Sequence, residues 1–593
     1  MVQHIRRSQF VYTYGPGSFI EGTNGPRIIL RPDIGLFCHI NPEDFEISDQ
    51  RISQGLLQGG RVFRLPSNAE LRKPQGGYIY RTRAFPEWKL CPKPHKNQSG
   101  DTFSVLYRGT KCPHCGSDAG HREAIRFVRA CPMGHLDDVD WPKVVHAGKE
   151  PCSVQHFEWL QTGSSLSQVI IRCPRPQCNA WVNLGQAYKQ PWSCSGRFPE
   201  AEQLGASPSR PGCNCDAFII QRQAANLRIP VLQTLFTIPP RASRLHLLLQ
   251  QRPVSDVIIA DGGIGSKQDL MNKLKNLVNN GRLARSVYEE IDSSGSEDIE
   301  QAIQDIRKSV SPQYGDLLSE EFDALLEASL KGYPPQRSAA GTVLFEVNPH
   351  KVKLVSGPRH RMRFRVVPLD RLRTVTVQVG YRREVGGSGS SAQLVDVSFT
   401  DQNGDRWFPG TEFLGEGIFV MLEEGAPDFA CGAGAMWKQV WQHLDSDKYS
   451  ADVFRVAGRH DELHPLFVWW HTLSHFLIRV ISTDSGYSSA SIRERVYVNA
   501  DEEKGGLVLY ATQPGSEGSL GGLISLVPRF EDILRQAIDA AEICSNDPLC
   551  LDNHFKAGHY NGPSCYGCAL LSETSCEHRN LWLDREVLLE SAP

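Results

Sequence analysis

Near the end of the chain the sequence reads Cys565-Tyr566-Gly567-Cys568, with Cys550 fifteen residues before it and Cys576, followed by Glu577-His578, eight residues after it. Two cysteines separated by two residues present both thiolates to one ion. Two further sulfurs from flanking turns complete a tetrahedron with no open position. This is the ligand spacing of a structural zinc knuckle, with Cys544 and His559 as replacement ligands. A closed site of this kind does no chemistry; it folds a segment that lacks enough apolar residues to form its own core.

Working outward, the same pattern recurs twice. Cys91, Cys112-Pro113-His114-Cys115 and Cys131 supply a second set, with His95, His114, His121 and His135 near enough to replace a sulfur. Cys173-Pro174-Arg175-Pro176-Gln177-Cys178, Cys194 and one of Cys213 and Cys215 supply a third, on a looser knuckle; Cys213 is taken as the ligand. The expectation is therefore three zinc ions. Cys38, Cys152, Cys431 and Cys544 are left as core thiols. Seventeen cysteines is an odd count, and clusters of this spacing fit metal better than disulfides, which a reducing cytosol disfavours.

The chain has 593 residues, too many for one core, and its 40% hydrophobic and 22% charged residues are ordinary for globular protein. A formal charge of −3 argues against coating DNA by bulk electrostatics. No apolar run follows Arg6-Arg7 as a signal peptide needs, and no stretch of about 18 apolar residues exists, so a cytoplasmic location is expected.

Composition shifts divide the chain into a β-rich region 1–90, a two-knuckle region 91–215, a helical region 216–344, a β region 345–425 and a mainly helical region 426–593. The expected class is α+β, multidomain. Phe10-Val11-Tyr12-Thr13-Tyr14-Gly15-Pro16-Gly17 reads as short strands and turns, Val375, Val377 and Val379 alternate as in a strand, and Gly387-Ser388-Gly389-Ser390-Ser391 reads as a flexible loop. An acidic patch lies around Glu297–Glu300.

Three catalytic signals fail on inspection. Val257-Ile258-Ile259-Ala260 runs into Asp261-Gly262-Gly263-Ile264-Gly265-Ser266-Lys267, but Ser266 intervenes before the lysine and Gln268 follows it. A phosphate loop needs lysine directly after glycine and then Ser or Thr; a strand ending in a glycine turn fits better. In His460-Asp461-Glu462-Leu463-His464 the glutamate is one place late for a metalloprotease helix, and Pro465 follows, so the segment reads as a helix start. His471 and His475 stand one helical turn apart in the apolar stretch Trp469–Ile481; with no carboxylate close in sequence they read as core or interface histidines.

From Lys351 to Arg383 ten Lys and Arg face only Asp370. Arg359, Arg361, Arg363 and Arg365 recur at period two, so on a strand they would share one face and could track phosphates, with His360 and Phe364 available for stacking. The alternative is a solvated face or a surface paired with an acidic partner.

Several strings resemble a helicase-associated domain found fused to, or encoded beside, superfamily 2 helicases: His471-Thr472-Leu473-Ser474-His475-Phe476-Leu477-Ile478-Arg479, Gly486-Tyr487-Ser488-Ser489, Arg493-Glu494-Arg495-Val496-Tyr497, Gly515-Ser516-Glu517-Gly518-Ser519-Leu520-Gly521-Gly522-Leu523, and Cys565-Tyr566-Gly567-Cys568 through Leu583-Asp584-Arg585. With Arg6-Arg7-Ser8-Gln9, Tyr14-Gly15-Pro16-Gly17, Arg129-Ala130-Cys131, Gly134-His135-Leu136 and Gly415-Glu416-Gly417-Ile418-Phe419 the whole chain resembles the DrmB family of the DISARM anti-phage system. The resemblance implies a non-catalytic subunit in a heterodimer with a DrmA-like superfamily 2 helicase, which would hydrolyse ATP and grip DNA jointly with it. Methylation and nuclease activity would come from other proteins. Two rivals remain: a metal-dependent nuclease or hydrolase using His471, His475 and Glu494, and a self-sufficient zinc-ribbon DNA binder.

Overall fold

A computed structural model describes the chain except for residues 1–3, 37–39, 73–77, 98–99, 119, 148–149, 239–244, 246–247, 250–252, 261–263, 309–313, 339–340, 387–391, 444–459, 486, 514–521, 557–558 and 573. Cys38, the glycine pair at 262–263, the loop 387–391, Gly486 and most of the Gly515–Leu523 string therefore lie outside the described residues.

The protein is α+β and is built around one large sheet. Its two longest strands, Arg363–Arg382 and Arg406–Glu424, pair antiparallel and are joined on one side by Lys504–Gln513 and Ile492–Asn499. Ile229–Phe236 pairs with Arg363–Arg382, and the early strand Arg61–Phe63 runs parallel to Arg406–Glu424. Segments 345–425 and 426–593 thus share a sheet, and the second contributes a hairpin as well as helices.

Alternation along these strands buries both faces. Val366, Ile418, Val420, Leu507 and Leu509 face the helix Pro465–Ser485 through Trp469, Trp470, Leu473 and Leu477. Val367, Leu369, Phe419 and Val508 face the helix Tyr314–Lys331 through Leu317 and Leu325. Each large apolar side chain buried this way stabilises by about 1.5–3 kcal/mol. Helix Pro465–Ser485 is buried all round from Leu466 to Ile478, the signature of a central core helix. Among the described residues no helix is long and apolar enough to cross a membrane.

Ahead of this core, a six-stranded sheet and a four-stranded sheet carry the cysteine region. Two local expectations change. Arg7–Tyr12 is a helix rather than a strand, because Gln9 Oε1 accepts from Arg6 N and Phe10 and Val11 turn into the core. Val254–Ala260 is also helical; four apolar residues suit a buried helix as well as a strand. Lys267 begins the helix Lys267–Asn279, capped by Ser266, and its Nζ donates to Ser294 O at 2.8 Å. Pro465 occupies the first position of its helix, behind the turn His460–Leu463, as a helix start requires.

Candidate metal centres

No described cysteine forms a disulfide. Among the described residues, five groups of Cys, His and Glu instead bring their donor atoms within 4.8 Å of one another, and four of them are knuckle-like.

Cys91 follows the strand Trp88–Leu90, His95 lies on the short strand His95–Lys96, and Cys112 and Cys115 sit in a turn closed by Cys112 N to Ser117 O and Gly116 N to Cys112 O. Gly116 has φ +68°, the left-handed conformation such a turn favours glycine for. Cys91 Sγ is 3.8 Å from Cys115 Sγ, and His95 Nε2 is 3.9 Å from Cys112 Sγ. His95 takes the place that sequence spacing gave to Cys131.

Cys131 lies instead with His135, Cys194 and Cys213. His135 Nδ1 is 3.3 Å from Cys131 Sγ and 3.6 Å from Cys194 Sγ. Cys194 and Cys213 are cross-strand partners in the pair Trp192–Cys194 and Cys213–Gln221. Of the two neighbouring cysteines, Cys213 is the one in the group; Cys215 lies outside it.

Cys173 and Cys178 join His146 and Cys152. His146 ends the helix Trp141–Val145, and its Nδ1 donates to Pro142 O at 2.6 Å. Cys152 is therefore not an isolated core thiol. His146 and Cys152 escaped the sequence reading, which looked downstream to Cys194 for further ligands.

The C-terminal group is all sulfur: Cys544, Cys550, Cys565 and Cys568. Cys544 Sγ is 3.4 Å from Cys565 Sγ, and Cys550 Sγ is 3.7 Å from Cys568 Sγ. Cys544 follows the helix Phe530–Glu542 and fills the position that sequence spacing gave to Cys576. His559 lies outside this group.

One sulfur in each of these four groups is biased toward thiolate, the form that binds metal. The Ser117 hydroxyl brings Cys115 down to about 7, and Cys131 holds Cys194 down at about 5. Cys152 lowers Cys178. Burial pushes Cys565 upward, but hydrogen bonds led by Asn546 hold it at about 6. Backbone N–H groups add to this: Asn546 N donates to Cys544 Sγ, and Gly567 N to Cys565 Sγ. These donor sets fit tetrahedral zinc closed on every side.

The fifth group contains His471 and His475 on the helix Pro465–Ser485, Glu494 on the strand Ile492–Asn499, and Cys576. The carboxylate that sequence proximity did not supply comes from the adjacent hairpin. All four residues are buried, and the three His and Glu side chains have no exposed surface.

The arginine row does not lie on one strand. Arg363 and Arg365 do, whereas Arg359 and Arg361 sit in the turn between Lys353–Ser356 and Arg363–Arg382, where His360 takes φ +54°. Arg365 makes two 2.7 Å bonds to Glu423, and Arg363 lies 3.0 Å from Glu424. Arg359 N donates to Pro593 O, and Arg361 is exposed. Phe364 is unavailable for stacking on bases, because it is buried against Trp469 and Trp470. Farther along, Arg383 is fully buried and donates to Gly134 O and Leu227 O.

Two family models match this chain: a domain of unknown function, DUF8724, over residues 6–229, and the MrfA Zn-binding domain over residues 473–569. The second match contains Cys544, Cys550, Cys565 and Cys568. The chain is similar to the DISARM protein DrmB of Bacillus paralicheniformis, at 26% identity over 532 residues, covering 86% of this chain and 88% of that protein. Among solved structures it is similar to the DUF1998 helicase MrfA bound to DNA, at 11% identity and a TM-score of 0.19, covering 38% of this chain and 23% of that one. The match spans less than a quarter of that helicase chain, and at this score nothing about fold or function follows from it.

Proposed function

We propose that this chain is a non-catalytic accessory subunit that binds a DrmA-like superfamily 2 helicase as a heterodimer and helps it engage DNA in anti-phage defence. The observation that carries this reading is the four-cysteine centre of residues 544–568. It lies within the match to the MrfA Zn-binding domain, in a chain that resembles DrmB along most of its length. Zinc in the four knuckle-like groups would be structural, because four protein donors leave no position for water or substrate.

The hydrolase alternative is disfavoured by access: His471, His475 and Glu494 have no exposed surface, so a phosphodiester cannot reach them. For DNA, the turn carrying Arg359 and Arg361 is the better part of the basic row. Arg363 and Arg365 already have close carboxylate partners, which cancel much of their attraction for phosphate, whereas Arg359 has only a 3.9 Å contact with Glu542 and Arg361 is exposed. The test is co-expression of the tagged chain with the superfamily 2 helicase encoded beside it. A stoichiometric complex on size-exclusion chromatography supports the reading, and separate elution of the two proteins overturns it.

A further inference from the structure

The group formed by His471, His475, Glu494 and Cys576 shares no residue with the four knuckle-like centres, although His475 bonds Ala569 O next to Cys568. It differs in kind as well, with two imidazoles, one carboxylate and one thiol drawn from a core helix, a strand and the C-terminal segment. Glu494 Oε1 is 2.8 Å from His471 Nε2 and 3.3 Å from His475 Nε2, and His471 Nε2 is 3.2 Å from Cys576 Sγ. Donors placed about 2.0–2.3 Å from a tetrahedral zinc stand roughly 3.3–3.7 Å from one another; the 3.2 and 3.3 Å separations approach this range, and the 2.8 Å one is shorter. Yet Glu494 Oε1 and His475 Nε2 form no hydrogen bond of acceptable geometry, although both are buried. A buried carboxylate oxygen and a buried ring nitrogen left in that condition are costly unless something else satisfies them.

The surroundings are those of metal ligands. His475 Nδ1 donates to Ala569 O at 2.8 Å, which fixes the tautomer and leaves the Nε2 lone pair aimed into the group. Ser474 Oγ donates to the other carboxylate oxygen of Glu494. Burial and the neighbouring Glu494 carboxylate push the Cys576 thiol up, and only two backbone donors, His578 N and Asn580 N at 3.3 Å from Sγ, work against them. As metal ligands, a carboxylate and a thiolate with two neutral imidazoles would carry two negative charges. The two guanidinium groups flanking Glu494 on the strand are engaged elsewhere: Arg493 donates to Tyr12 Oη at 2.8 Å, and Arg495 is committed to Glu321 at 2.8 Å and Glu577 at 2.7 Å. A divalent cation balances the charge and completes four-coordination.

We propose that His471 Nε2, His475 Nε2, a Glu494 oxygen and Cys576 Sγ bind a fifth metal ion, a zinc-class divalent cation. Its role is structural. It ties the helix Pro465–Ser485 to the strand Ile492–Asn499 and pins the C-terminal segment beside them, where Glu494 N also donates to Ser575 O. With all four donors buried there is no coordination position for a substrate. The inference rests on these four residues alone and stands whether or not the chain binds a helicase.

The deciding experiment is an anomalous-difference map at the zinc edge from crystals of the full chain, with elemental analysis of the same preparation. The expected result is a peak about 2.0–2.3 Å from each donor atom, beside the peak at the Cys544, Cys550, Cys565 and Cys568 centre. Glu494→Gln and Cys576→Ser should each lose about one ion per chain and leave the remainder in place. Should either variant fail to fold, the wild-type map decides. A map with density at the all-cysteine centre and none here, or a folded variant of unchanged metal content, overturns the proposal.

Discussion

His135 Nδ1 lies 3.6 Å from Cys194 Sγ, so a donor from the turn after Phe127–Ala130 meets one from a strand some sixty residues later. The contact groups Cys131 with the four-stranded sheet, away from Cys91. Cys194→Ser should therefore remove about one zinc per chain and destabilise the cysteine region by several kcal/mol, since binding energy lost at a structural site is folding energy lost. Cys215→Ser, outside the group, should leave metal content unchanged and alter stability by no more than about 0.5 kcal/mol. Elemental analysis and thermal unfolding of both variants check the assignment.

At the C-terminus, Cys544→Ser should release the zinc of the all-sulfur centre, while Cys431→Ser, an exposed cysteine on no group, should not. Hydrogen exchange should quicken in the helix Phe530–Glu542 only in the first variant. That helix runs directly into Cys544 and loses its anchor when the site is incomplete.

Asp584 caps the helix Arg585–Glu590 by accepting from Glu586 N and Val587 N, and it also accepts from Trp437 Nε1 at 2.8 Å. Asp584→Ala should cost about 2–4 kcal/mol, combining a lost cap with a buried indole left unpaired. Burial pushes this carboxyl up to about 6, above its unfolded value near 3.9. The folded state therefore holds the proton more tightly, and the contribution of Asp584 declines as pH rises from about 4 through 6. The stability gap between wild type and Asp584→Ala should narrow from pH 5 to pH 7 in thermal unfolding. A gap that widens contradicts this assignment.

Changing Arg359 and Arg361 together to Glu should weaken DNA binding by the helicase complex and flatten the slope of log affinity against log salt by about 0.7–0.9 per lost contact. The loss should be similar for unrelated sequences. Arg365→Glu breaks the Glu423 pair and should leave the salt slope nearly unchanged. If the helicase dissociates first in the Arg359 and Arg361 variant, the turn is a protein interface.

Much of this was legible in local sequence. Cys112-Pro113-His114-Cys115 and Cys565-Tyr566-Gly567-Cys568 announce turns whose two sulfurs converge, and the structure brings each pair together. The partners were not legible, because they depend on which strands pair. Cys194 meets Cys213 through sheet register, and Glu494 meets His471 and His475 only once the hairpin packs on the central helix. The arginine row misled for a related reason. Period two is a strand signal only where the backbone stays extended, and Gly357-Pro358 turns the chain so that His360 goes left-handed. A run as short as Val257–Ala260 carries no period at all.

The account stands most directly on ATP hydrolysis measured in three preparations with DNA present: this chain alone, the DrmA-like helicase alone, and the reconstituted pair. The prediction is no hydrolysis by this chain, and a helicase activity in the pair that is both higher and bound more tightly to DNA than the helicase alone. Hydrolysis that follows this chain through purification, or a helicase indifferent to its presence, would contradict the account.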